Sequence, residues 1–168
     1  DRVVADGDLT TKQRNEILAG MTGEIASLVL RNNYGQNLSL AISRVLSARS
    51  LPVHLRLMRE FERRGELDRA LEFLPDDEQI AERQADGRGL TSPELSVLLA
   101  YAKISLKHNL AASALPDDPY FAGVLRNYFP GPLRERLADR MEQHPLRRDI
   151  VINELVNDLV NFAGSTFA

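Results

Sequence analysis

Eight prolines, at 52, 75, 93, 116, 119, 130, 132 and 145, divide the chain almost completely. Proline lacks an amide donor and its ring clashes with the preceding turn, so it suits helix starts and loops rather than helix interiors. The stretches between the prolines are of about helical length, which predicts separate helices broken at each proline. Strand patterning is thin. Only Val53, Leu55 and Leu57 alternate, and Met58 and Phe61 then continue that run at helical spacing.

The first helix is expected to start at Thr10, with Gln13 completing a capping box, and Thr22 offers a second start. Ile25, Leu28 and Val29 form one apolar stripe, and Leu38, Ala41, Ile42 and Val45 form another more than a third of a turn out of phase. One straight helix cannot bury both against one surface, so a bend or break is expected near Tyr34-Gly35. Leu51, Leu55, Met58 and Phe61 mark the next helix, closed by Gly65. "LDRALEFLP" reads as a short helix ended by Pro75, and "DDEQIAERQADG" as another with carboxylates in its first turn.

"GLTSPELSVLLAYAKISL", residues 89 to 106, opens with Thr91 and Glu94 at capping-box spacing. Leu95, Leu98, Leu99, Ala102, Leu106 and Leu110 form one apolar face, and Val97, Tyr101 and Ile104 a second. A helix apolar on two faces is surrounded by others. The expected fold is therefore all-α, an irregular multi-helix bundle around a buried central helix at about 93–112. Beyond it, "DDPYFAGVLRNYFPG" gives a short helix, and "PLRERLADRMEQH" an amphipathic one with Leu133, Leu137 and Met141 inward. A last helix from about Leu146 to Ala163 buries Ile152, Leu155, Val156 and Leu159. The 168 residues read as a single helical domain, with a possible subdivision near 87–92. The start "DRVVADGD" and the finish "GSTFA" suggest a fragment of a longer chain.

The hydrophobic fraction of 43% supports a real core. The net charge is 21 − 24 = −3, with both signs interleaved, so the clustered basic face of a nucleic-acid binder is missing. With no cysteine, disulfides and thiolate metal sites are excluded. No stretch has the apolar length of a membrane span.

Candidate chemistry is sparse. "GRGLTS" at 87–92 lacks the third glycine and the preceding strand of a dinucleotide loop, and reads as a turn between helices. His54, His108 and His144 have no partner at zinc-binding spacing and read as helix-surface or helix-end residues. Asp76-Asp77-Glu78 and Asp117-Asp118 sit at helix starts, where capping accounts for them. No catalytic, cofactor-binding or metal residue is assigned. The possible domain or subunit contacts are Arg88 between its two glycines, Tyr101, Lys103 on an otherwise apolar helix, and Asn153, Asn157 and Asn161. The three asparagines, spaced by four, line one edge of the last helix. Lys103 is expected to extend to solvent or to meet a carboxylate across an interface.

"LDRALEFLPDDEQIAERQADGRGLTSPELSVLLAYAKISL" resembles the C-terminal region of the large bacterial NAD-specific glutamate dehydrogenases. So do "DDPYFAGVLRNYFP", "HPLRRDIVINELVNDLVNFAGSTF" and "GDLTTKQRNEILAGMTGEIASLVLRNNY". Ser92 stands where the family pattern carries a basic residue, and Phe162 where it often has arginine. The resemblance implies a parent enzyme that oxidatively deaminates L-glutamate to 2-oxoglutarate and ammonia. Its NAD and catalytic residues would lie outside this chain. It also implies that this region supports the catalytic core of the same chain in a cytoplasmic homo-oligomer, without membrane or nucleic-acid partners, and is inactive alone. The alternative is a non-enzymatic oligomerisation or regulatory interaction module. On the supporting-role reading, aspartate at Leu99 in the full-length enzyme should lower soluble yield or activity.

Overall fold

A computed structural model describes residues 2–167. Every regular element in it is helical, as the sequence predicts: α1 (Arg2–Ala5), α2 (Thr11–Gly20), α3 (Thr22–Arg63), α4 (Asp77–Ala85), α5 (Ser92–Ala111), α6 (Ala122–Tyr128), α7 (Gly131–Arg136), α8 (Ala138–Met141) and α9 (Arg147–Ala163). Short 3-10 turns lie at Leu115–Asp117, Pro119–Phe121 and Ser165–Phe167. Two compact units emerge: Asp1–Asn33 with Leu115–Glu154, and Tyr34–Ala114 with Leu155–Ala168. Residues 87–92 fall inside the second.

In the first unit, the Thr10 hydroxyl accepts from the Gln13 amide at 3.3 Å, and Gln13 Oε1 accepts from the Thr10 amide at 2.9 Å. Ile17, Met21, Leu125, Met141, Ile150 and Ile152 are buried here. Glu24 accepts from the Gly131 amide at 2.9 Å, so a carboxylate meets the start of α7. The helix expected over "PLRERLADRMEQH" breaks at Leu137, whose backbone (φ −131°, ψ 27°) leaves the helical region. The break separates α7 from α8, where Arg140 pairs with Asp6 and Asp8 and Met141 is buried.

The core of the second unit joins Leu51, Met58 and Phe61 of α3 to Ile80 of α4 and to Leu95, Leu98 and Ala102 of α5. The inner face expected for α5 is therefore the one it buries. Its other face is only partly covered, for Val97 and Tyr101 are half-buried and Ile104 is 50% exposed. Asp76 caps α4 reciprocally with Gln79, at 2.8 and 3.1 Å.

Two local expectations fail. First, no break occurs near Tyr34-Gly35, and Pro52 does not end the helix: α3 runs 42 residues through both. The phase argument assumed that both apolar stripes are buried, yet Ile25, Val29, Leu38, Ile42 and Val45 are all exposed. The face that is buried carries Ser39, Ser47, Leu51, His54, Met58 and Phe61. An interior proline costs about 3 kcal/mol. Leu51, Met58 and Phe61, all essentially inaccessible, provide the packing that offsets it.

Second, "LDRALEFLP" forms one turn and no helix. Asp68 accepts from the amides of Ala70 and Leu71 at 3.0 and 3.1 Å, and Phe73 turns left-handed at φ 54°. Leu74 then donates back to the Arg69 carbonyl at 2.9 Å, which closes the turn and buries Leu67 and Leu74.

Gly89 lies against α3. A Cβ there would fall onto the backbone between Ser47 and Ala48, which cannot yield as a side-chain tip would. The Ser47 hydroxyl donates to the Leu90 carbonyl at 2.9 Å and holds the approach. Gly89→Ala is therefore expected to lower stability by about 1–3 kcal/mol, the range for overpacking. A urea midpoint equal to wild type would contradict this contact.

Candidate functional site

The contact residues singled out in the sequence have different surroundings. Arg88 is exposed and pairs with Asp86 at 2.6 Å. Asn153 is exposed on α9. Tyr101 donates its hydroxyl to Glu72 at 2.8 Å, and its ring centroid lies 6.3 Å from that of Phe61. The Glu72 hydrogen bond, followed by burial, raises the Tyr101 phenol above its ordinary value.

Lys103, Asn157 and Asn161 come together in the second unit. Lys103 Nζ donates to Asn157 Oδ1 at 2.9 Å, so the lysine pairs with a neutral amide where a carboxylate had been one expectation. Burial pushes its ammonium down from the ordinary value. Asn161 and Lys103 also line a cavity of about 270 Å³, together with Gln36, Asn37, Leu40 and Leu99.

His54 is the residue that sequence reasoning misplaced. Expected at a helix surface or end, it is buried in the second unit, and its Nδ1 lacks a hydrogen-bond partner among the described residues. Desolvation lowers its pKa, which favours the neutral imidazole. It borders a cavity of about 190 Å³ with Ser39, Ser43, Ser50 and Ser165. The clue lay in its spacing: His54 continues the inner face as Leu51 + 3 and Met58 − 4. A third cavity, about 490 Å³, lies in the first unit between Phe129, Leu133, Met141 and His144.

The carboxylate clusters behave as helix starts. Asp77 takes Arg59 at 2.6 Å and Arg69 at 2.8 Å, and these two hydrogen bonds hold its carboxyl below the ordinary value. Asp118 accepts from the Tyr120 amide at 2.8 Å, whereas Asp117 lies 3.3 Å from Arg147. Among the described residues, no group of three or more His, Asp or Glu is placed to hold a metal ion.

The most conspicuous surface is on α3. Tyr34, Leu38, Ile42 and Val45 follow one another at helical spacing and are 70%, 46%, 49% and 84% exposed. By helical spacing they lie on the side of α3 opposite the one that carries Leu51, Met58 and Phe61 farther along the helix, and within residues 34–45 the buried position is Ser39. Farther up the same helix, Val29 and Leu30 are also exposed.

The family described as "Glutamate dehydrogenase, C-terminal" matches residues 87–168, and "Bacterial NAD-glutamate dehydrogenase, catalytic domain" matches residues 1–43. The NAD-specific glutamate dehydrogenases of Halomonas elongata and Pseudomonas aeruginosa are each 47% identical over 167 residues. That alignment takes in 99% of this chain and 10% of theirs. The Mycobacterium tuberculosis enzyme of the same name is 43% identical over 168 residues, covering 100% of this chain and 10% of its own. Over nearly its whole length the chain matches a region of the bacterial NAD-specific glutamate dehydrogenases.

It spans about a tenth of the length of the curated relatives it matches. No solved structure matches it. The exposed row on α3 overlaps the stretch matched to the catalytic-domain family, since Tyr34, Leu38 and Ile42 all precede residue 44. Among the described residues, no helix is long and apolar enough to cross a membrane.

Proposed function

We propose that this chain is a helical supporting segment of an NAD-dependent glutamate dehydrogenase. The whole enzyme oxidatively deaminates L-glutamate to 2-oxoglutarate and ammonia, and the segment itself does not react. The catalytic core of the same chain, which holds NAD, is its principal partner, in a cytoplasmic homo-oligomer. The observation that carries this reading is the outward row Tyr34, Leu38, Ile42 and Val45 on α3. Helices that expose such a row in isolation cover it in the complete molecule, and most of this row lies in residues matched to the catalytic-domain description.

Support of this kind acts on rate through position. Hydride transfer requires cofactor and substrate in near-attack geometry, and a displacement of about 1 Å can cost roughly a hundredfold. In the full-length enzyme, Ile42→Glu with Val45→Glu is expected to lower NAD-linked glutamate oxidation at least tenfold, while the same pair leaves the helicity of the 168-residue chain unchanged. Full activity in that variant would refute the support role. Glutamate oxidation by the 168-residue chain alone would refute the assignment of chemistry elsewhere.

The same row also suits a second copy of the chain. Light scattering separates the alternative, an oligomerisation or regulatory module: a tight dimer of the 168-residue chain that Val45→Glu dissolves would favour it.

A further inference from the structure

Lys103 occupies an unusual position for a cation. It is half-buried on α5, and its hydrogen bond goes to the neutral Asn157 Oδ1 at 2.9 Å. Among the described residues no carboxylate lies within ion-pair distance of it, whereas the half-buried arginines are compensated. Arg69 takes Glu62 and Asp77, at 2.9 and 2.8 Å, and Arg83 takes Glu94 at 2.8 Å. An ammonium carries three protons, so two remain to be donated after Asn157. A partly desolvated charge without a counter-charge is costly, and that cost is removed by whatever anion reaches it.

The space for such an anion is beside it. Lys103 lines the cavity of about 270 Å³ between α3, α5 and α9. Asn161 lines the same cavity and is half-buried. Leu40, Leu99 and Ala100 supply an apolar wall. None of the residues lining the cavity is acidic.

The geometry points to a binding site for a small aliphatic carboxylate, with its oxygens on Lys103 Nζ and Asn161 Nδ2 and its hydrocarbon part against Leu40, Leu99 and Ala100. Phosphate fits less well. It has no aliphatic part for the leucine wall, and one ammonium does not match its charge. The two cavities described above lack this combination. Arg140, beside the cavity of about 490 Å³, is already paired with Asp6 and Asp8, and the cavity beside His54 is bordered by hydroxyls and no cation.

The test titrates the 168-residue chain with butyrate, using butanol as a neutral probe of the same length, and follows the Lys103 side-chain signals by NMR. Saturable butyrate binding in the millimolar range is expected, as suits a ligand of few atoms. Butanol should not saturate, and the Lys103 pKa should rise toward its ordinary value as butyrate fills the site. Lys103→Met should weaken binding more than tenfold, Lys103→Arg should retain it, and Asn161→Ala should weaken it severalfold.

Three outcomes would overturn the assignment: no saturation by butyrate, equal binding of butanol, or binding that survives Lys103→Met. The wild-type titration and Lys103→Arg decide the matter even where Lys103→Met folds poorly. A purely structural lysine, held only by Asn157, would show no butyrate response at all.

Discussion

Replacing Leu98 with aspartate is expected to unfold the second unit. Leu98 is wholly inaccessible and belongs to the cluster that joins α3, α4 and α5. Truncation to alanine alone would cost about 2–5 kcal/mol in lost contact and residual cavity. Aspartate adds a carboxylate with no basic partner in that cluster, and an unpaired buried charge is either protonated at further cost or expelled by unfolding. Together these approach the lower end of the stability of a whole domain, about 5–15 kcal/mol. Far-ultraviolet dichroism with urea titration reads the result directly.

The neighbouring position is a control. Leu99, which the sequence pattern also puts on the inner face, is half-buried at the Lys103 cavity. Aspartate there stands four residues before Lys103, within reach of a favourable helical pair. Leu99→Asp should therefore be much milder. Equal damage at both positions would contradict the packing of α5 described above.

Removing the Glu94 carboxylate should produce the second large loss. Glu94 accepts from Arg83 Nη1 and Nη2 at 2.8 and 2.9 Å, from the Thr91 amide at 2.7 Å and from the Thr91 hydroxyl at 2.9 Å. A single side chain thus caps α5 and ties it to α4. Glu94→Ala should cost about 2–4 kcal/mol, combining a lost cap with a partly buried arginine left unpaired.

The effect depends on pH. Burial favours the neutral acid, but the Arg83 and Thr91 hydrogen bonds outweigh it and hold the Glu94 carboxyl below its ordinary value of 4.5. A carboxyl depressed in the folded state contributes stability that is fully present above its unfolded value and lost as pH falls through its folded one. The difference between wild type and Glu94→Ala should be constant above pH 4.5 and shrink below it. Glu60 is lowered further, to about 2, by Arg63 and then Arg64, but it is exposed and adds little. A difference still undiminished at about pH 3 would contradict the assigned role of the pair.

How much of this was legible in the chain follows from what each signal measures. Capping at Thr10 and Asp76 was readable because it depends on residues three apart, and the core face of α5 because one helix repeats its own period. Pro52 misled, since a proline records only a local penalty while the contacts that override it come from α4 and α5. The out-of-phase stripes on α3 misled for the opposite reason. Apolar periodicity marks a face that can be covered, without saying by what, and among the described residues Leu38, Ile42 and Val45 stay exposed.

The turn at 68–74 escaped notice because Asp68 competes for backbone amides that a helix would otherwise use. At the candidate site, Lys103 and Asn157 could each be flagged as unusual, but their pairing across 54 positions could not be read from either helix alone. His54 was legible in principle, since its spacing already marked the inner face.

The length of α3 has a bearing on how the molecule moves. Its buried positions begin at Ser39 and crowd toward Phe61, while the earlier turns have none. Local opening is easiest where side-chain contacts are few. Fluctuation should therefore enter this helix from the Thr22 end and die out before Leu51. The rod is graded, supple where the apolar row waits for its cover and stiff where it is clamped, and whatever settles on that row would also quiet the supple half.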